Sequence, residues 1–259
     1  MKKRKLKLKK DNFLILILSA ILIVSTIDII LFLVDIKTNN DNNKKIIEDV
    51  TIDNKHIDKN NNKKNNNNKE INFNKLLSIN EDTKGWIKYN NDKINYPIVQ
   101  SNDNSYYLKK SFDGKTNQSG TIFMDYRNKS FNDKNVVIFG HAMTDGSMFG
   151  SLKDVFKKGF FDNKENNYIK VIDTDNQKFI YQIFSYYIIE KEEYYITTSF
   201  DNDSSFNKFI NVISKRSYKN FKIKVTKDNN ILTLSTCSGT GNTTKRKVVH
   251  AKLIKNNVT

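Results

Sequence analysis

Cysteine, proline and histidine are all scarce in this sequence. Of its 259 residues, one is cysteine, one is proline and three are histidine. The lone Cys237 excludes an intrachain disulfide, and it excludes a zinc cage built from several thiolates. A chain without disulfides ordinarily points to a reducing compartment, but the N-terminus points elsewhere. No tight group of Asp and Glu demands a metal, and no cofactor is expected. Lys and Arg outnumber Asp and Glu by 44 to 28, a formal net charge of +16. The abundance of Asn and Lys beside so little proline reads as coding bias as much as function. The charge is spread and no stacking-aromatic motif interleaves it, so nucleic acid is not an expected partner.

What the N-terminus does hold is a basic run followed by an apolar one. Residues 2–10, KKRKLKLKK, carry seven positive charges and no negative one. Phe13–Val34 is almost wholly apolar, with Asp28 its one charge. A helix of about 20 residues crosses the hydrocarbon core, so this run is long enough to span it. The basic flank stays cytoplasmic under the positive-inside rule and places the rest of the chain outside the cell. A cleaved signal peptide would have a shorter apolar core and a small-x-small site, neither of which is present. The expected organisation is a cytoplasmic tail at 1–11, a transmembrane signal anchor at 12–35 and a disordered tether at 36–70. The tether reading rests on its Asn, Lys and Asp content, which offers too little apolar surface to offset ordering. His56 lies within it and is read as inert.

From Ile71 to Thr259 the pattern is that of a folded domain. Asn72 reads as an N-cap for a short helix carrying Phe73, Leu76 and Leu77. Eight β-rich runs follow, at Trp86–Tyr89, Ile94–Val99, Thr121–Met124, Val136–Phe139, Tyr168–Ile172, Phe179–Ile189, Ile231–Thr236 and Val248–Ile254. Turn-forming residues separate many of them. Eight short strands with few helices predict a closed or nearly closed β-barrel. Apolar residues at helical spacing predict two interruptions, Ser147–Lys157 and Ser205–Lys215. The domain is net positive, which suits either a negatively charged wall or membrane surface or a plain solvated face.

Candidate chemistry gathers in 231–253, ILTLSTCSGTGNTTKRKVVHAKL. Cys237 ends a strand before a Ser/Gly/Thr/Asn loop, and Arg246 begins the next strand. Taken alone, a single cysteine is most simply a small buried hydrophobe. A strand end facing a loop of backbone N–H groups is also where a nucleophilic thiol belongs. His141 leaves the Val136–Gly140 run into a turn, which suits presentation at a barrel rim. His250 lies mid-strand with Arg246, Val248 and Lys252 on one face. The opposite face, Lys247, Val249, Ala251 and Leu253, reads as core. His250 is therefore read as a semi-exposed strand residue and the weaker candidate.

These motifs resemble those of the sortases. LSTC at 234–237 and RKVV at 246–249 match the family's cysteine and arginine strands, and FGHAMTDGSMFGSLKDV at 139–155 is similar to its histidine segment. The stretches 71–108 and SGTIFMDYRN at 119–128 resemble class B members in particular. The resemblance runs from about Phe73 to Ile254. It implies an eight-stranded sortase-type barrel with an N-terminal helix and an added helix before the cysteine strand, the whole of 71–259 forming the catalytic domain. It also implies a membrane-anchored cysteine transpeptidase that cuts an NP-x-T-x-like C-terminal sorting signal of secreted proteins after threonine. The threonine would then be joined to a peptidoglycan amine. Cys237 would be the nucleophile, His141 the acid–base group and Arg246 the fixed cation. Asn104, Leu108, Tyr195 and Ile196 match groove positions, although Leu108, Tyr195 and Ile196 would serve equally as barrel core; Ser235, two residues before the thiol and on its face by alternation, joins them. Class B members often carry acidic residues just after the cysteine; here Ser238 and Gly239 follow it, and no carboxylate for His141 comes from that loop. A pilin-polymerising enzyme with a lysine acceptor and an inactive wall-binding barrel are the alternatives.

Overall fold

The computed structural model describes residues 10–53, 69–237 and 244–257. Helix α1 (Lys10–Val50) holds the apolar run, and its most apolar window lies wholly outside the protein core. It is long and apolar enough to cross a membrane. The helix does not stop where the apolar run stops. Ile36, Asn39, Asn43 and Val50 are buried, a stripe at three-, four- and seven-residue spacing laid against the folded domain. Asp35 accepts hydrogen bonds from Asn117 Nδ2 at 3.1 Å and from Gln118 N at 2.8 Å. Asn40 Nδ2 donates to Asp145 Oδ2 at 2.7 Å. Strand β1 (Thr51–Asp53) then pairs antiparallel with β2 (Lys69–Ile71). The disordered tether expected over 36–70 is thus helical as far as Val50 and strand-paired at both of its later ends; the stretch between the two strands lies outside the described residues. Mean composition concealed the face because a few isoleucines and a valine carry it.

Helix α2 (Phe73–Ile79) follows, its first turn capped by Asn72, whose side chain accepts from Lys75 N at 3.0 Å. Eight strands then close a barrel: β3 (Thr83–Tyr89), β4 (Ile94–Val99), β5 (Phe123–Met124), β6 (Asn135–His141), β7 (Tyr168–Asp173), β8 (Lys178–Glu190), β9 (Ile231–Cys237) and β10 (Lys245–Asn257). Around the barrel the order is β10-β8-β7-β3-β4-β5-β6-β9. Pairing is antiparallel except for β4 with β5 and β6 with β9. Every expected strand is present. Thr121 and Ile122 fall outside β5, because Thr121 N bonds to Tyr107 O instead of a ladder partner.

One large cluster fills the barrel, with Ile87, Ile98, Val136, Ile138, Val171, Tyr181, Leu232, Leu234, Val249 and Ala251 among its members. A second lies outside it under α2, and a third under helix α3 (Asp203–Lys215). A reciprocal Asn202/Ser205 cap starts α3. Its apolar face, Phe206, Phe209, Ile210 and Ile213, packs on Phe184, Tyr187 and Val248 of the barrel's outer surface.

That packing corrects the reading of His250. Both faces of β10 are buried, one in the barrel and one beneath α3, so His250 is fully enclosed and not semi-exposed. Its Nε2 lies 2.8 Å from Tyr187 Oη and its Nδ1 2.8 Å from Thr233 Oγ1. The interruption expected at Ser147–Lys157 is a 3₁₀ helix beginning only at Gly150 and ending at Phe156. Left-handed backbone at Gly146 (φ +90°) and Met148 (φ +50°) delays its start.

Candidate active site

Strands β6 and β9 run side by side in parallel, and their register is unbroken from Asn135↔Ile231 to His141↔Cys237. Both end at the same level, so the backbones of His141 and Cys237 are direct neighbours at one rim, about 4.8 Å apart by the ordinary strand spacing. Strand β10 is antiparallel to β9, with Val248 opposite Ser235 and Val249 opposite Leu234. Continued by two residues, that register sets Arg246 level with Cys237. Lys247 N donates to Thr236 Oγ1 at 2.9 Å and holds the two strand ends together. Arg246 is half-buried, and its Nη1 donates to Thr244 O at 3.2 Å. The loop after Cys237, with Ser238, Gly239 and the N–H groups expected to assist there, lies outside the described residues.

His141 is half-buried and held by backbone. Its Nε2 lies 2.7 Å from Leu108 O, and its own carbonyl accepts from Phe149 N at 2.9 Å. A carbonyl only accepts, so Nε2 carries a proton. The orienting group absent from the cysteine loop is therefore supplied, at least at Nε2, by a main-chain carbonyl. Leu108 ends the 3₁₀ turn Tyr106–Leu108, which Asp103 starts. Asp103 Oδ1 accepts from Ser105 N at 2.6 Å and Tyr106 N at 2.7 Å, and these bonds hold its carboxyl below the ordinary range. Gly120 closes the other side of the turn. Its φ is +59°, and a Cβ there would come within 2.5 Å of Tyr107 O and 3.1 Å of His141 Cδ2.

The five residues expected to line a groove lie on three segments of the fold. Asn104 and Leu108 sit on the loop that holds His141, both half-buried. Asn104 Nδ2 donates to Asp125 Oδ2 at 3.0 Å, and its Oδ1 accepts from Tyr126 N at 3.0 Å. Tyr195 and Ile196 lie on the 3₁₀ turn Tyr194–Ile196 beyond β8. Tyr195 is buried and its hydroxyl lies 3.1 Å from Oγ of the equally buried Ser235. Neither of these two presents open surface. Ile196 is half-buried, and its carbonyl accepts from Arg127 Nη2 at 2.9 Å. Asp125, Arg127 and Gly120 belong to this site and were not singled out from the sequence. Asp125 and Arg127 form a short D-x-R within the quoted 119–128 stretch, and the glycine is the one signal for a close approach. Among the described residues no His, Cys, Asp and Glu group is placed to hold a metal ion.

Comparison with known proteins agrees with this architecture. The family model for the sortase domain matches residues 87–254. Sortase B of Staphylococcus aureus is 38% identical over 187 residues, which cover 71% of this chain and 75% of that protein. Sortase B of Listeria monocytogenes is 35% identical over 182 residues, covering 69% and 72% respectively. Among solved structures, a Staphylococcus aureus sortase B–substrate complex superposes with a TM-score of 0.66 at 37% identity, over 71% of this chain and 85% of that one.

Proposed function

The chain belongs to the sortase family, within class B, and as a cysteine transpeptidase of that kind we propose that it acts from the outer face of the membrane. Its substrates are secreted proteins ending in an NP-x-T-x-like sorting signal, and its acceptor is a peptidoglycan amine. Helix α1 is the anchor, with its basic end in the cytoplasm. What supports the span is the length and apolar content of Phe13–Val34; the basic run before it supports the orientation.

The Cys237 thiolate attacks the threonine carbonyl, and a tetrahedral oxyanion forms. Collapse breaks the peptide bond, releases the signal's C-terminal part as an amine and leaves a thioester between threonine and Cys237. The acceptor amine then attacks the thioester, a new amide forms and the thiolate departs. His141 gives a proton to the first leaving amine and takes one from the second. Because Nε2–H is engaged with Leu108 O, this exchange falls to Nδ1. Arg246 supplies a cation and a planar fork of donors for the substrate backbone or the oxyanion.

One observation carries this reading: the unbroken β6–β9 register that makes His141 and Cys237 neighbours at a shared rim. The test is mass spectrometry of products formed from a library of sorting-signal peptides offered a wall-type peptide amine and a lysine side chain together. Threonine joined to the wall-type amine is the expected product, lost in Cys237→Ala. A lysine-linked product would instead make the enzyme a polymerising one. Joining by the Cys237→Ala protein would end the thioester mechanism.

A further inference from the structure

The two segments that carry the expected signal-binding residues, 104–108 and 194–196, are far apart in sequence, yet one buried carboxylate and its arginine reach both. Asp125 follows β5 and is fully buried. Its backbone is locked to β6, since Asp125 N donates to Val137 O at 2.9 Å, and Gln100 Nε2 donates to Asp125 O at 2.8 Å. Its side chain accepts four hydrogen bonds. Oδ1 takes Arg127 N at 2.9 Å and Arg127 Nε at 2.8 Å; Oδ2 takes Arg127 Nη2 at 2.6 Å and Asn104 Nδ2 at 3.0 Å. The guanidinium is thus gripped in bidentate fashion, and the second proton on Nη2 goes to Ile196 O at 2.9 Å. From the carboxylate, one path runs through Asn104 to the turn whose Leu108 carbonyl holds His141. The other runs through Arg127 to the Tyr194–Ile196 turn.

We propose that Asp125 and Arg127 are positioning residues that set the spacing between these two segments as the groove's walls, and with it the selectivity for the sorting signal. The pair touches no reacting atom. Its geometry asks for arginine: a lysine ammonium can keep the charge pair but cannot hold both carboxylate oxygens and Ile196 O from one planar group. Arg127 is also the tolerant point for substitution, since about a third of its side chain is exposed whereas that of Asp125 is enclosed. The selectivity half of the proposal rests on the transpeptidase reading above; the coupling of the walls does not.

The experiment uses the full-length chain in detergent micelles, as wild type, Arg127→Lys and Arg127→Ala. Turnover of a sorting-signal peptide is measured with iodoacetamide alkylation of Cys237 and amide hydrogen exchange. In Arg127→Lys, KM for the peptide is expected to rise about tenfold with kcat within about twofold, the scale of one lost charge-assisted bond. Alkylation is expected to keep its wild-type rate. A merely structural role would reduce the active fraction and so kcat, leaving KM in place. In both variants the amides of 104–108 and of 194–197 are expected to exchange faster together. Wild-type KM in Arg127→Lys, or faster exchange confined to the neighbours of Arg127, would overturn the proposal. A wild-type protein that turns over no sorting-signal peptide would instead overturn the functional reading and the selectivity built on it, while exchange would still decide whether the walls are coupled.

Discussion

Gly120 shows how narrow the tolerance around His141 is. Its backbone is left-handed, and any side chain would press on Tyr107 O and on the imidazole itself. Gly120→Ala is expected to cost about 1–3 kcal/mol of stability and to lower kcat as the ring is displaced from Leu108 O; urea denaturation and peptide turnover read the two effects. His250 presents the opposite case, a histidine with no chemistry to perform. Burial, with a smaller contribution from Arg216, pushes its pKa down from 6.5 to about 3. It stays neutral in the folded protein while the unfolded chain takes up a proton below pH 6.5. Its share of stability is therefore complete above about pH 6.5 and falls as the pH drops towards 3, by up to about 1.4 kcal/mol per pH unit. His250→Gln offers Tyr187 an acceptor that does not titrate. The difference between its unfolding free energies at pH 7 and pH 4.5 is expected to be smaller than that of the wild type, and an unchanged difference would contradict the assignment.

At the scale of elements, the docking of α1 is imperfectly made. Both side-chain atoms of Asn39 and Nδ2 of Asn43 are buried with no hydrogen-bond partner among the described residues. An unpaired buried amide costs about 1–3 kcal/mol. Asn39→Leu is expected to raise the unfolding midpoint and to slow amide exchange over 36–50; a lower midpoint would show that the face is not packed as described. The same helix shows where sequence legibility ends. Its face from Ile36 to Val50 is too sparsely apolar to stand out against Asn and Lys. The eight barrel strands were legible because runs such as 136–139 and 231–236 are dense in β-branched and aromatic residues. His250 was misread because alternation marks only one core, whereas β10 is buried on two sides once α3 covers the barrel. The Asp125–Arg127 pair carries no period at all. Its meaning comes from Asn104 and Ile196, which only the closed fold brings to it.

At the scale of the whole molecule, closure of the barrel through a parallel β6–β9 seam is what converts three distant motifs into one rim. Parallel neighbours need long connections, and here the chain between β6 and β9 supplies β7, β8, the Tyr194–Ile196 turn and α3 before returning to end at Cys237 beside His141. Strand β10 then turns back along β9 and brings Arg246 to the same level. The most direct test of that convergence is to mix the full-length protein with a sorting-signal peptide, withhold any amine, quench in acid and weigh the intact protein. The account predicts a hydroxylamine-sensitive adduct ending at the peptide's threonine and carried on Cys237, with its formation slowed severely in His141→Ala. Peptide cleavage with no adduct on Cys237, or an adduct that forms at the wild-type rate without His141, would contradict it.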